Sequence, residues 1–178
     1  GLGTSLFVFG ERDRLAADRA HLQGEILRAE QLVRTRLTYY EEGLRGGVSL
    51  FRCSRFVGRD EWAEYARALA GEERFPGIRG IGYVKPVAPA EFAEYLSAVR
   101  ADGAPDFKLR RVPGIPDSLA RTADSLRYVI TYIEPYERNR PALGLDLASE
   151  PARRLAADRA RDTGQPTMTS RIQLVQDQ

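Results

Sequence analysis

The longest pattern in the chain is a narrow apolar stripe between residues 11 and 51, a stretch without proline. Its positions follow one another at steps of three or four residues from Leu22 onward, which is typical of a helix with one apolar side. The stripe consists of Leu15, Leu22, Ile26, Ala29, Val33, Leu37, Tyr40 and Leu44. Because the spacing is nearly heptad, it predicts either a seam with one partner helix or an ordinary amphipathic helix on its own domain.

Three glycines, Gly43, Gly46 and Gly47, lie near the end of this predicted helix. Each glycine in a helix interior costs about 1 kcal/mol relative to alanine, so we expect a break or a bend at these positions. We assign residues 11–57 to a long stalk helix and residues 58–178 to a separate module.

The remainder of the chain alternates short helical and extended patterns. Helices are predicted at 60–69 and 89–99, and a third helix begins after Ser149, which is placed to cap it, and closes at Gly164. Strands are predicted at 78–84, 106–112, 128–133, 143–147 and 167–175. The strand at 128–133 has the strongest signal, because it is rich in β-branched and aromatic residues. This order favours an α+β fold with an antiparallel sheet flanked by helices.

The composition restricts the chemistry that the chain can perform. A formal charge of +2 over 178 residues is too small for a strongly basic surface, so no nucleic-acid partner is expected. With one histidine, His21, and one cysteine, Cys53, there is no material for a multi-histidine metal site, a catalytic triad or an intramolecular disulfide. We therefore expect a chain that is not an enzyme and carries no cofactor.

The first ten residues contain a short apolar run from Leu6 to Phe9, ahead of Glu11 and Arg12. The run is much shorter than the roughly 20 apolar residues of a membrane span. We interpret residues 1–10 as the end of a membrane helix or as a remnant of core sequence.

Five motifs in order, behind the long helix, resemble the CHASE domain, an extracytoplasmic sensory domain found before histidine kinases and nucleotide cyclases. They are residues 75–83, 131–135 with Asn139, 143–151, 159–165 and 174–176. The resemblance covers the chain from about residue 12 onward, and it implies a stalk helix followed by a PAS-like module that takes a ligand. Since the family's sheet normally continues beyond this last motif, it also implies that the sheet is truncated here and that a membrane-proximal module lies outside this sequence.

The resemblance further implies where a ligand binds. The acidic residue that hydrogen-bonds a purine-like ring in the plant cytokinin receptors of this family falls on Glu134, and a threonine of a later strand falls on Thr169. The candidate walls of the pocket are Tyr83, Tyr128, Tyr132 and Met168. The alternatives are a solvated strand end for Glu134, an exposed strand position for Thr169, and core packing for the three tyrosines.

Together these observations predict a sensor domain on the periplasmic or extracellular face of the inner membrane. The parent would be a membrane-anchored bacterial signalling protein of the histidine kinase or diguanylate cyclase type. A small ligand, with purine-like molecules among the candidates, would be sensed and relayed through a homodimer along the stalk helix. The alternative is a protein-interaction or structural relay module that has no small ligand of its own.

Overall fold

The computed structural model describes residues 2–70, 75, 77–116, 125–172 and 174. The chain divides into two compact units, Gly1–Glu42 and Gly43–Gln178. A long N-terminal helix is followed by a four-stranded sheet flanked by helices, so the predicted α+β class is confirmed.

The N-terminal helix, α1, spans Leu2–Cys53 without interruption. The predicted break at the three glycines near its end is therefore wrong. At Gly43 an added Cβ would lie 3.2 Å from both Leu69 and Phe75, and at Gly47 it would lie 3.6 Å from Trp62. These glycines let large side chains pack closely on α1, and we attribute the unbroken helix to this packing, which outweighs their low helix propensity.

Four further α-helices follow in the described part of the chain. They are α2 at Arg59–Ala70, α3 at Phe92–Ala101 after a 3₁₀ turn at Pro89–Glu91, the single turn α4 at Tyr136–Asn139, and α5 at Pro151–Thr163. Those predicted at 60–69, at 89–99 and before Gly164 are confirmed, and Gly164 has the expected left-handed conformation with φ of 64°.

The residue that caps α5 differs from the prediction. Glu150, and not Ser149, is the N-cap, and its carboxylate accepts the backbone N–H of Arg153 at 3.3 Å. The Ser149 hydroxyl instead accepts the N–H of Val112 at 2.9 Å and donates to the carbonyl oxygen of Asp146 at 2.6 Å. Ser149 lies one residue before the cap, and its buried hydroxyl links the segment after β2 to the end of β4.

The sheet has the order β1-β3-β4-β2. Its strands are β1 at Ile81–Val87, β2 at Arg110–Arg111, β3 at Arg127–Glu134 and β4 at Leu145–Asp146. The strand predicted at 128–133 is confirmed, those predicted at 106–112 and 143–147 shrink to two residues each, and β1 begins three residues later than predicted. The pairs β1–β3 and β3–β4 are antiparallel, but β2 runs parallel to β4, so the sheet is mixed and not wholly antiparallel.

The late start of β1 has a local cause. The amide of Asn139 donates from Nδ2 to the carbonyl oxygen of Arg79 at 3.0 Å. An added Cβ on Gly80 would lie 2.9 Å from the same Nδ2 atom, so only a glycine allows this approach. The backbone before Ile81 is therefore bound by a side chain and not by a neighbouring strand.

The strand predicted at 167–175 is wrong over residues 167–172 and 174, which form no strand; residues 173 and 175 lie outside the described part of the chain. Residues 167–172 follow α5 as an irregular segment that is mostly exposed.

A β-bulge in β3 sets which side chains share a face. Tyr83 pairs with Tyr132, whereas the next residue of β1 pairs with Ile130, so Thr131 is the extra residue. A bulge shifts the alternation of side chains along the strand. As a result Ile130 and Ile133 pack in one cluster with Leu145, although three positions separate them.

Candidate functional site

A cleft of about 770 Å³ opens at the end of β3, between α4 and the loop that follows α3. Its walls carry both signs of charge, from Arg59, Asp106, Lys108, Arg110, Glu134, Glu137 and Arg140. The volume falls within the range of small-molecule sites, and the cleft is open to solvent.

Glu134, the predicted polar anchor, lies in this cleft and is half-buried. Its Oε2 atom accepts the backbone N–H of Tyr136 at 2.9 Å, which holds the carboxylate in place. Among the described residues nothing donates to its Oε1 atom. The side chain is thus oriented by the fold and keeps one acceptor for another molecule.

Arg110 stabilises the wall of the cleft through hydrogen bonds to backbone carbonyl groups. Its Nη2 atom donates to the carbonyl oxygen of Pro141 at 2.9 Å and also contacts that of Leu143. The guanidinium therefore fastens β2 to the turn that precedes β4. Lys108 and Arg140, by contrast, have exposed side chains without a hydrogen-bond or ion-pair partner in the described part of the chain.

A polar junction lies between the cleft and the core. The Tyr132 hydroxyl lies 2.8 Å from Asp102 Oδ2 and 3.0 Å from the carbonyl oxygen of Val57, and these two acceptors share its single proton. Burial and the bond to Asp102 raise the pKa of Tyr132 well above its usual value. Asp102 ends α3, so this hydroxyl joins β3 to the end of α3 and to the segment before α2.

Tyr83 and Tyr132 meet in a group of rings that we call the aromatic cluster: Phe51, Trp62, Tyr83 and Tyr132. Phe51 and Tyr83 are stacked with their centroids 4.0 Å apart, and Tyr83 and Tyr132 are stacked at 5.7 Å. Phe51 belongs to α1, so the cluster joins the last turns of α1 to β1 and β3. An apolar groove of about 380 Å³ lies beside Phe51, Trp62 and Tyr83.

Tyr128 is buried on the other side of β3. Its hydroxyl donates to Asp158 Oδ1 at 2.6 Å and accepts from Arg161 Nη1 at 2.7 Å. These bonds tie the start of β3 to α5. The contacts favour the core alternative for Tyr128 over a pocket wall.

Met168 and Thr169 follow α5 and are exposed, Met168 by 77%. Met168 lines a separate surface cavity of about 410 Å³ with Arg159 and Thr163. The structure therefore places Glu134 in the cleft, Tyr83 and Tyr132 in the aromatic cluster, and the remaining predicted residues elsewhere. Their roles in ligand binding stay predictions.

The family assignment follows from a comparison with protein-family models. The model of the CHASE domain matches residues 55–178, well over half of the chain. This chain belongs to the CHASE domain family. CHASE domains are extracytoplasmic sensory domains of signalling proteins and are not themselves catalytic. A search of curated proteins finds no match for the chain.

Two further findings concern this CHASE domain as a whole. Across the described residues, no group of three or more histidine, cysteine, aspartate or glutamate side chains could hold a metal ion. No described helix is both long enough and apolar enough to cross a membrane.

Sequence reasoning did not identify Arg59 and Asp102 as part of the site. Asp102 lies directly after α3, and Arg59 lies at the start of α2, 43 positions earlier. The only signal was the Asp-Gly pair after α3, which indicates a turn and says nothing about a partner. Their proximity depends on how α2 and α3 pack against β3.

Proposed function

We propose that this CHASE domain binds a small ligand in the cleft at the end of β3 and acts as the sensor of a membrane-anchored histidine kinase or diguanylate cyclase. The observation that carries the proposal is the half-buried Glu134, whose carboxylate is oriented by the Tyr136 N–H and has an oxygen atom to which no described residue donates. An oriented acceptor in a cleft of this size suits a ligand with an N–H or O–H donor.

Signalling then requires that the ligand favours one of two arrangements of the domain, because a ligand shifts an equilibrium only through its different affinity for the two states. The cleft lies at the end of β3, and β3 carries Tyr132 into the aromatic cluster beside α1. A ligand-dependent change at this end of β3 would therefore reach α1 through the contacts of the aromatic cluster.

A thermal-shift screen of purines and small organic acids tests the binding function. We expect at least one compound to raise the melting temperature, and Glu134→Ala to weaken its binding about tenfold or more. Glu134→Gln, which keeps an acceptor oxygen, should lose less. Glu64→Ala, on the exposed side of α2, is the control and should bind as the parent does. Unchanged affinity in Glu134→Ala would show that Glu134 does not bind the ligand.

We also propose that the domain dimerises along α1 within the unit Gly1–Glu42. The stripe residues Leu22, Ile26, Val33 and Leu37 are each exposed by 45% or more. They recur at helical steps of three or four residues through Ala29, which places them on one side of α1. A second copy of the same helix would bury this seam, whereas an isolated helix would leave it in water.

The position next to the seam provides a matched control for dimerisation. Val33 and Leu32 are exposed by 58% and 67%, but one residue rotates a helix by about 100°, so Leu32 lies off the seam. Sedimentation velocity should show a dimer for the parent and for Leu32→Glu, and a monomer for Val33→Glu. A monomeric parent, with no ligand found in the screen, would favour the protein-interaction alternative.

A further inference from the structure

The guanidinium of Arg59 is the one charged group that both lines the cleft and contacts the aromatic cluster in the described part of the chain. Arg59 is half-buried at the start of α2. Its Nε atom donates to the carbonyl oxygen of Asp102 at 3.1 Å, and its Nη2 atom reaches that of Thr131 at 3.4 Å. Both acceptors are neutral carbonyl groups.

No carboxylate among the described residues forms an ion pair with this guanidinium. The nearest candidate, Asp102, uses its carboxylate otherwise: Oδ2 accepts the Tyr132 hydroxyl at 2.8 Å, and Oδ1 faces the backbone N–H of Arg59 at 3.4 Å. Charged groups that leave water are usually paired. In the described part of the chain Arg59 therefore lacks the anionic partner that its partial burial favours, and its Nη1 atom has no acceptor there.

The surroundings of Arg59 suit a small anion. Lys108 and Arg140 line the same cleft and have no ion-pair partner among the described residues, while Asp106 and Glu137 on its walls discourage a highly charged polyanion. The planar fork of a guanidinium matches the two oxygens of a carboxylate, which it can bind with two parallel hydrogen bonds.

We infer that Arg59 binds the carboxylate of a small organic acid in the cleft and couples occupancy of the cleft to the aromatic cluster on α1. This inference rests on the proposed function, since it names the ligand class of the same cleft. Glu134, which lines the same cleft, then accepts a hydrogen bond from a donor group of the same ligand.

The coupling follows from the contacts of Arg59. Its guanidinium lies 5.1 Å from the centre of the Tyr132 ring, and Tyr132 is followed by Tyr83 and then by Phe51 of α1 in one stack. A carboxylate that draws the guanidinium toward the cleft weakens its contacts with Thr131 and the Tyr132 ring. The Tyr132 ring then moves to a different position of lowest energy. Because Tyr132 contacts Tyr83, and Tyr83 contacts Phe51, this shift reaches α1.

The chain contains its own reporter for this coupling. Trp62 is its only tryptophan, is 4% exposed, and has its ring centroid 6.5 Å from that of Tyr132 and 5.8 Å from that of Phe51. Titrations with acetate, succinate and benzoate, each against its uncharged amide, should change Trp62 emission with at least one acid and with none of the amides. The same titrations followed by thermal shift measure binding independently of the reporter.

Variants of Arg59 separate its two roles. Arg59→Gln should weaken binding of the active acid about tenfold or more, and Arg59→Lys, which keeps the charge but loses the fork, should fall between it and the parent. Arg67→Gln removes a cation from the exposed side of the same helix and should leave the affinity unchanged. In Tyr132→Leu the acid should still bind, as measured by thermal shift, while the Trp62 response is lost.

The outcomes distinguish this inference from the proposed function. If no acid of the set binds, the inference is overturned, and binding of a purine in the earlier screen would leave the sensor function intact. Equal affinity in Arg59→Gln and Arg67→Gln would also overturn it. If Arg59→Gln fails to fold, Arg59→Lys and Arg67→Gln are compared instead. Equal affinity of these two variants for the acid would show that the guanidinium of Arg59 does not bind the carboxylate, and the inference would be overturned.

Discussion

The aromatic cluster and the cleft lie near the same end of the β1–β3 strand pair, yet they are built differently. In the cluster, rings are stacked and Trp62 and Tyr132 are 4% and 6% exposed. In the cleft, charged side chains line an open volume, and Lys108 and Arg140 lack partners among the described residues. The difference shows that packing holds the strands and helices in place, while the groups able to recognise another molecule collect where packing ends.

Arg59 and Asp102 connect these regions. Together with the Tyr132 hydroxyl they form the junction through which the packed region contacts the wall of the cleft. A buried polar junction of this kind contributes most when every member is satisfied, and it is costly when one member is removed. Substitutions near the cleft, in the aromatic cluster and at the junction should therefore lower the free energy of unfolding by different amounts.

The largest effect is expected at Gly144, in the turn behind the cleft. It has a φ of 79°, and an added Cβ would collide with the carbonyl oxygen of Lys108. Gly144→Ala should lower the free energy of unfolding by about 3 kcal/mol, from left-handed strain together with the clash. Gly114 has a φ of 75° but nothing within 4 Å, so Gly114→Ala should cost only about 1 kcal/mol. Urea unfolding followed by Trp62 fluorescence measures the free energy of unfolding of both variants. Equal losses in the two variants would show that the backbone around Gly144 is not tightly packed.

A medium effect is expected at the junction. Tyr132→Phe removes the hydroxyl that serves Asp102 and Val57, and it should lower the free energy of unfolding by about 1–2 kcal/mol. Tyr83→Phe is the matched control in the same stack, because the Tyr83 hydroxyl has no hydrogen-bond partner among the described residues. It should change the stability by less than about 0.5 kcal/mol. Similar losses in the two variants would show that the junction contributes little.

The smallest effect appears only at alkaline pH. Burial raises the pKa of Tyr95 from 10.0 to about 12. Since the folded protein resists ionisation more than the unfolded chain, this contribution to stability is fully present below pH 10 and is lost as the pH rises toward 12. The decline in melting temperature over this range should be shallower in Tyr95→Phe. An equal slope in Tyr95→Phe and the parent would contradict the prediction.

Predictability differed between the elements for physical reasons. The helices carry their period in the sequence, and β3 is rich in β-branched and aromatic residues, so both could be predicted locally. Two predicted strands shrank to β2 and β4 because partners lie along only two residues of each. The unbroken end of α1 was not predictable, because the side chains that pack on Gly43 and Gly47 come from α2 and from the segment after it.

For the candidate site, the position of Glu134 could be predicted because it follows directly from the end of β3. The directions of Tyr128 and Tyr132 could not, since they depend on the bulge at Thr131 and on which helix covers each side of the strand. The pairing of Arg59 with Asp102 joins residues 43 positions apart and leaves no periodic signal.

By itself the sequence determined the α+β class, the long helix, the strand that carries Glu134, and the family, because each of these depends on local periodicity or on motifs in order. Only the tertiary structure decided that β2 runs parallel to β4, that Tyr83 and Tyr132 stack on α1, and that a half-buried Arg59 lines the cleft without a carboxylate partner in the described part of the chain. Those features depend on packing between distant segments, and the energy of such packing is not encoded at any single position.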